Sequence, residues 1–198
     1  MTQPLLSLEI LDKLNDWINK ATASEINDPT AMCLSTVSDN GTPDSRMVLA
    51  RIIDDRGIAF FTNYQSKKGA DLLKTPKAAL CFHWKSLRKQ IRIQGIIEPT
   101  SAQESDDYYN SRARESRIGA WASLQSTELP SRATLMERVK FYEDKFKSID
   151  NPPRPPHWSG FRIIPHKVEF WQDGEFRLHE RELFTWQDNA WIRSVLYP

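Results

Sequence analysis

The chain has 198 residues, with 27 Lys and Arg against 26 Asp and Glu and a net charge of +1. That length suits one domain with a substantial core, and the even charge balance excludes a global nucleic-acid field, so any basic site must be local. Two cysteines exclude a disulfide framework, and no apolar run approaches the ~20 residues of a membrane span.

Met1 to Pro4 show no basic segment leading into an apolar one, so no secretory signal is read and a cytoplasmic protein is expected. From Ser7 to Ala21 the apolar residues Ile10, Leu11, Leu14, Trp17, Ile18 and Ala21 recur at helical spacing, with Ser7 as cap. Asp28-Pro29 ends that helix. Three strands are then predicted, Ala31 to Val37, Asp44 to Ile53 and Ile58 to Asn63, each turn between them carrying Asp and Gly. Cys33 and Cys81 both sit inside apolar runs, as reduced, buried thiols do.

Ser66 to Lys74 reads as a short helix stopped by Pro76. Its first turn holds Lys67 and Lys68, where the helix dipole prefers anions. Those lysines are either ordinary surface groups or held for an anionic ligand. Strands follow at Lys77 to Trp84 and Gln90 to Ile97. Ser101-Ala-Gln-Glu104 is a capping box for a helix to about Ser111. Helices are predicted at Arg114 to Ser123, with Ile118, Trp121 and Ala122 inward, and at Ser131 to about Phe146. The run Asn151 to Pro156 is a stiff connector. Strands near Gly160 to Ile164 and Trp191 to Val195 flank a hairpin. Its first arm is Lys167 to Trp171, its turn is Asp173-Gly174, and its returning strand carries Arg177, His179 and Arg181 on one face. Such a trio either surrounds something anionic or is a solvated basic face. Antiparallel strands with helices at the side give an α+β fold with a barrel-like sheet.

The four histidines are scattered and neither cysteine has a partner at ligand spacing, so no metal site is predicted. Gly-x-Ser-x-Gly, a Walker loop and Gly-x-Gly-x-x-Gly are all missing. What remains is a set of polar and basic residues at the ends of elements: Arg46, Arg51, Lys67, Lys68, Tyr108, Arg112, Ser116, Gln125, Ser126 and the hairpin trio. Such groups suit phosphate oxygens, and two clusters of them fit two phosphate monoesters.

The stretches Arg46-Met-Val-Leu-Ala-Arg51, Phe61-Thr-Asn63, Ser66-Lys-Lys68, Arg88-Lys-Gln90 and Tyr108-Tyr-Asn-Ser-Arg112 add to two longer ones. These are Ser116-Arg-Ile-Gly-Ala-Trp-Ala-Ser-Leu-Gln-Ser126 and Glu169-Phe-Trp-Gln-Asp-Gly-Glu-Phe-Arg-Leu-His-Glu-Arg181. With them the chain, from about Asp28 to Pro198, resembles the pyridoxamine 5′-phosphate oxidase family. The resemblance implies an FMN-binding split β-barrel, α+β, spanning residues 1–198 as one domain. It would have an N-terminal helix region over 1–27 and a C-terminal dimerisation and active-site hairpin region over 157–198. It implies a homodimer with FMN sites at the interface, acting on small phosphorylated vitamers rather than on nucleic acid or membrane.

FMN contacts are implied for Arg46, Met47, Val48, Leu49, Ala50, Arg51, Phe61, Thr62, Lys67, Lys68, Gln90, Gln125 and Ser126, with Trp171 and Arg181 reaching the other subunit's flavin. The substrate phosphate would lie on Arg51, Tyr108, Arg112 and Ser116. Arg177, Leu178 and His179 would cover its pyridine ring, Arg177 and His179 being the catalytic pair. The implied reaction converts pyridoxamine or pyridoxine 5′-phosphate to pyridoxal 5′-phosphate, with O2 reduced to H2O2, in vitamin B6 salvage. Two alternatives stay open: a split-barrel flavin oxidase with a phenazine-type substrate, and a non-catalytic flavin or vitamer binder. Members of the family usually carry Lys at the position of Arg51, and a bulkier bidentate group there alters the phosphate pose. The basic, tyrosine-bearing segment ahead of the first helix is largely missing from this sequence, which implies either a more open site or a different substrate. Arg46 and Arg51 also have opposite strand parity, so sharing a site requires a bulge or two phosphates on opposite faces.

Overall fold

A computed structural model describes residues 5–198; Met1 to Pro4, and the signal reading made on them, lie outside the described residues. Helix α1, Leu8–Ser24, is capped by the Ser7 hydroxyl accepting from the Ile10 amide, and buries Ile10, Leu14, Trp17, Ile18 and Ala21. Strands β1 (Ala31–Val37), β2 (Pro43–Leu49), β3 (Ile52–Asp54) and β4 (Gly57–Asn63) lead into α2 (Lys67–Lys74). Next come β5 (Lys77–Trp84), β6 (Lys89–Pro99), α3 (Ala102–Ser111), α4 (Arg114–Ala122) and α5 (Arg132–Lys145). The chain ends in β7 (Trp158–Gln172), a 3-10 turn (Glu175–Arg177), β8 (Glu180–Gln187) and β9 (Ala190–Val195).

Every pairing among the described strands is antiparallel, in the order β2-β1-β5-β6-β7-β4-β3, with β8 on β7 and β9 on β8. The expected strand Asp44 to Ile53 is broken. Ala50 and Arg51 leave the ladder, Ala50 donating to the Thr30 carbonyl and Arg51 to the Ala59 carbonyl. One half of the segment therefore pairs with β1 and the other with β4, which curls the sheet back on itself as a split barrel. The corner also answers the parity problem, because alternation restarts between Arg46 and Arg51.

The opposite difference occurs in the C-terminal region. The two expected strands around Ile164 and Lys167 are one strand of 15 residues, β7. A register shift between Gln94 and Gly95 lets it turn the barrel's corner without ending. Gly95 is required there, since a Cβ would sit 2.2 Å from the Ile164 carbonyl oxygen.

The core is one apolar cluster of α1 and the inner sheet face, including Leu34, Phe60, Leu80, Phe82, Ile91, Ile93, Phe161, Val168 and Phe170. At its edge, buried Arg162 bonds Asp54 at 2.5 Å and Glu104 at 2.8 Å. Burial works against the charge of Glu104, but the Ser101 amide and hydroxyl, Arg162 and Arg56 overcome it and hold this carboxyl down at about 2. This network pins α3 to the barrel beside the site. The capping box Ser101–Glu104 and the inward Ile118 and Ala122 are as expected. Trp121 is half-buried, its Nε1 donating to the Pro153 carbonyl. Cys33 and Cys81 are free and half-buried, directly opposite each other on β1 and β5.

Candidate active site

The β2–β3 corner, β4, α2, α3 and α4 enclose a cavity of about 500 Å³, lined by Met47, Val48, Leu49, Arg51, Phe61, Thr62, Asn63, Lys68, Tyr108, Arg112, Ser116, Gln125 and Trp158, among others. That volume suits a small organic ligand. One arm of it is cationic and amide-rich. Ser66 caps α2, and its hydroxyl accepts from the Gly69 amide, which directs the first turn toward the cavity. Lys68 reaches Gln125 Oε1 at 3.4 Å, and Thr62 donates to the same oxygen at 3.2 Å. Burial, and then the Arg46 charge, holds the Lys68 ammonium below the ordinary lysine range.

Arg46 and Lys67 stand beside this arm rather than in its lining. Arg46 donates to Thr36 Oγ1 at 2.8 Å and pairs with Asp44 at 2.6 Å. Lys67 bonds Ser38 at 2.9 Å and Asp71 at 3.1 Å. These basic groups are thus held by acidic and hydroxyl neighbours. Ala50 is buried at 4% exposure and is not part of the cavity lining.

The other arm is aromatic with two guanidinium groups. Phe61 stacks on Tyr108 at 4.3 Å and on Trp158 at 5.6 Å, the rings lying within 25° of parallel. Arg51 lies over the Tyr108 ring at 5.6 Å and Arg112 over the Trp158 ring at 4.9 Å. Burial lowers the Arg112 guanidinium from its ordinary value, with Arg51 and Arg117 adding repulsion. Its Nη1 is buried and makes no hydrogen bond. An unpaired guanidinium N–H is costly to bury, so this atom calls for an acceptor in the cavity, and its positive charge favours an anionic one. Ser116 sits in the first turn of α4, also on the lining.

Gln90, Trp171 and Arg181 lie elsewhere. They face one another across β6, β7 and β8, on the sheet surface opposite the core residues Ile91 and Phe170. Arg181 is held by Glu169 at 2.8 Å and by the Tyr197 carbonyl at 3.0 Å. The tight hairpin expected at Asp173-Gly174 does not form. Gly174 has an extended φ of −128°, and the left-handed residues are Phe176 and Arg177, at φ 54° and 66°. The link therefore spans residues 173–179, and Arg177 and His179 belong to it rather than to a strand. Of the expected trio only Arg181 is on β8. The cause is Asp173, whose amide donates to the Arg88 carbonyl at 3.0 Å and whose carboxylate lies 3.0 Å from His179 Nδ1. Arg177 and Leu178 project into solvent, while His179 is half-buried with its ring 4.6 Å from that of Trp171.

The cavity brings together Met47, Val48, Leu49, Arg51, Phe61, Thr62, Lys68, Tyr108, Arg112, Ser116 and Gln125. It does not take in Gln90, Ser126, Trp171, Arg177, Leu178, His179 or Arg181. Ser126 is exposed just past α4, at φ 71°. Sequence reading missed Trp158 and Asn63, which face each other across β7 and β4. The sequence signal for Trp158 was an aromatic directly after the proline-rich connector. No metal-ligating cluster of His, Cys, Asp and Glu occurs among the described residues.

A curled antiparallel sheet with an arginine- and lysine-lined cavity at its corner defines a split-barrel protein. Among solved structures, PhzG from Burkholderia lata 383, in complex with tetrahydrophenazine-1-carboxylic acid, matches with a TM-score of 0.89 and 31% identity, over 95% of this chain and 92% of that one. A pyridoxamine 5′-phosphate oxidase-related, FMN binding protein from Nostoc punctiforme PCC 73102 shares the fold, with a TM-score of 0.75 at 16% identity, covering 98% of both chains. Residues 18–172 match the family described as pyridoxamine 5′-phosphate oxidase, and residues 158–198 match the pyridoxine 5′-phosphate oxidase C-terminal dimerisation region. The pyridoxine/pyridoxamine 5′-phosphate oxidase of Agrobacterium fabrum is 52% identical over 92% of this chain and 89% of its own length. That of Caulobacter vibrioides is 53% identical over 98% of this chain and 88% of its own length. The chain belongs to the pyridoxamine 5′-phosphate oxidase family and is an oxidoreductase of that family.

Proposed function

We propose that the protein oxidises pyridoxamine 5′-phosphate and pyridoxine 5′-phosphate to pyridoxal 5′-phosphate, with FMN as cofactor and O2 as electron acceptor. The observation that carries this reading is the buried, unpaired Arg112 Nη1 in the same cavity as Lys68 and Gln125. The cavity has two cationic arms, and the reaction needs two phosphates anchored so that the two rings they carry lie against each other. Lys68, Thr62 and Gln125, with Arg46 and Lys67 behind them, suit the FMN phosphate. Arg51, Arg112, Tyr108 and Ser116 suit the phosphate of the vitamer. FMN, when held there, would supply the two-electron redox chemistry that couples oxidation of the vitamer to reduction of O2.

The chain's own residues bind, orient and exclude water. Two or three charge-assisted hydrogen bonds on the vitamer phosphate, at about 1.5–3 kcal/mol each, are enough to fix one end of the substrate. Orientation of two flat rings is then most of what the protein must add. Gln90, Trp171 and Arg181 lie in one row outside their own chain's cavity. A homodimer in which this row, with Arg177 and His179, completes the other subunit's cavity accounts for them, and the matched dimerisation region supports that assembly.

A second reading is oxidation of a phenazine-type substrate, favoured by the likeness to PhzG. A carboxylate could meet one arginine, but Arg51 and Arg112 over adjoining rings fit a phosphate better. The test is to purify the flavin-loaded protein and supply each B6 phosphate and a dihydrophenazine carboxylate, following peroxide. Peroxide with the B6 phosphates supports the proposal; peroxide only with the phenazine substrate overturns it.

A further inference from the structure

Arg88 and Asp173 are left without a role by the site described above. Arg88 lies in the turn between β5 and β6, at a left-handed φ of 53°. Its carbonyl accepts from the Asp173 amide at 3.0 Å, and its guanidinium meets the Asp173 carboxylate. The neighbouring Lys89 bonds Gln172 at 2.8 Å. So the β5–β6 turn and the 173–179 link form one tip. At its centre, Asp173 Oδ1 lies 3.0 Å from His179 Nδ1. The imidazole is also flanked by the Trp171 ring at 4.6 Å. Its Nε2 has no hydrogen-bond partner among the described residues.

We infer that Asp173, backed by Arg88, is a positioning residue that holds His179 in the Nδ1–H tautomer, leaving Nε2 as an acceptor toward the substrate. Two groups compete for Nδ1. The Gly174 amide points at it from 3.2 Å and would require a lone pair there. The Asp173 carboxylate requires a proton there. The carboxylate wins for two reasons. A hydrogen bond to an ionised acceptor is about twice as strong as a neutral one. A deprotonated Nδ1 would also set its lone pair against a negative oxygen, whereas Gly174 is half-exposed and its amide can turn to water. In histidine the partner of one ring nitrogen decides which nitrogen carries the proton. Arg88 orients the carboxylate from the other side, so both of the loop's turns bear on one ring.

The pair has little to do with overall stability, because the Arg88 side chain is 75% exposed. Gly174 makes the arrangement possible. A Cβ there would sit 2.2 Å from the Leu178 carbonyl oxygen, so no other residue lets the link fold back far enough to bring His179 to Asp173.

This inference rests on the proposed function for what Nε2 faces, but not for the tautomer itself. The experiment uses the full chain loaded with FMN and labelled with 15N-histidine, with His179→Gln to assign its signals against His83, His157 and His166. Long-range proton–nitrogen correlation is expected to show Nδ1 protonated in the wild type. Asp173→Ala, and Asp173→Asn as a near-isosteric second variant, are expected to shift the ring toward the Nε2–H form. They should also slow anaerobic flavin reduction by pyridoxamine 5′-phosphate about tenfold to a hundredfold, the range known for histidines at metal centres that lose the group holding their other ring nitrogen, with flavin content and substrate affinity unchanged. Arg88→Ala is expected to give a smaller change in the same direction. An Nε2–H tautomer in the wild type would overturn the inference, and so would an Asp173→Ala variant with tautomer and reduction rate both unchanged. A ring that switches tautomer in a protein that oxidises no B6 phosphate would uphold the positioning and sink the proposed function instead.

Discussion

The cavity at the β2–β3 corner and the tip at residues 173–179 use the same kinds of side chain but fix them differently. In the cavity, Arg51, Lys68 and Arg112 come from distant parts of the chain; Lys68 is in the first turn of α2, and Arg51 and Arg112 sit at the ends of regular elements, over stacked rings. At the tip, Arg177 and His179 are near neighbours in sequence and are seated by a short irregular link. The cavity is therefore tied to the barrel's stability, while the tip can be altered locally. On the proposed function, the groups that hold phosphate sit where the fold is rigid, and the groups that meet the substrate ring sit on a loop.

Two glycine substitutions separate the regions most sharply. Gly57 closes the β3–β4 turn at φ 122°, and a Cβ there would sit 2.0 Å from the Ile163 carbonyl oxygen. Gly57→Ala should lower unfolding free energy by about 3 kcal/mol or more, read by chemical denaturation. Gly174→Ala meets an equally close carbonyl but only inside the link. Its stability cost should be about 1 kcal/mol, with turnover falling far more than stability does. Equal stability losses would contradict the division into rigid cavity and local tip.

Next in size is Arg112→Ala. It removes two or more charge-assisted bonds to the vitamer phosphate and should raise KM on the order of a hundredfold, with flavin still bound. Steady-state kinetics on flavin-loaded protein checks this, and a lost flavin instead would move Arg112 to the other arm. Arg177→Ala should lower kcat about tenfold while flavin absorbance is retained, since Arg177 is proposed to meet the substrate ring rather than the flavin. Release of flavin would show that it serves the cofactor rather than the substrate ring.

An effect of the same size, on flavin rather than turnover, is expected at Lys68. Burial keeps its ammonium below the usual lysine value of 10.5, so it loses its charge before ordinary lysines as pH rises. Flavin affinity in the wild type should therefore weaken on the alkaline side at a lower pH than surface lysines titrate. Lys68→Met should weaken affinity about tenfold at neutral pH and remove that alkaline dependence, as flavin fluorescence titrations would show.

These outcomes also mark where the sequence was legible. Helix α1 was readable because Ile10, Leu14, Trp17 and Ile18 obey one period, and α3 because Ser101 and Glu104 form a capping box. The cavity's residue types were readable as phosphate-seeking chemistry, and the family resemblance joined them into one site. The corner at Ala50 and Arg51 was not readable, since a single continuous run of strand formers pairs with two different neighbours. The link at 173–179 failed for another reason. Asp173-Gly174 has turn chemistry, but Asp173 is taken by Arg88, a partner 85 positions away that no local rule can see. Trp158 went unnoticed because its partners Phe61 and Arg112 are likewise remote in sequence.

The central claim is that one cavity holds a flavin and a phosphorylated vitamer together. Anaerobic mixing of the flavin-loaded protein with pyridoxamine 5′-phosphate, and separately with pyridoxine 5′-phosphate, tests it most directly. The flavin absorbance is expected to bleach with each substrate and to return on admitting O2, with pyridoxal 5′-phosphate formed in step. A protein that binds flavin firmly yet bleaches with neither vitamer would contradict the claim.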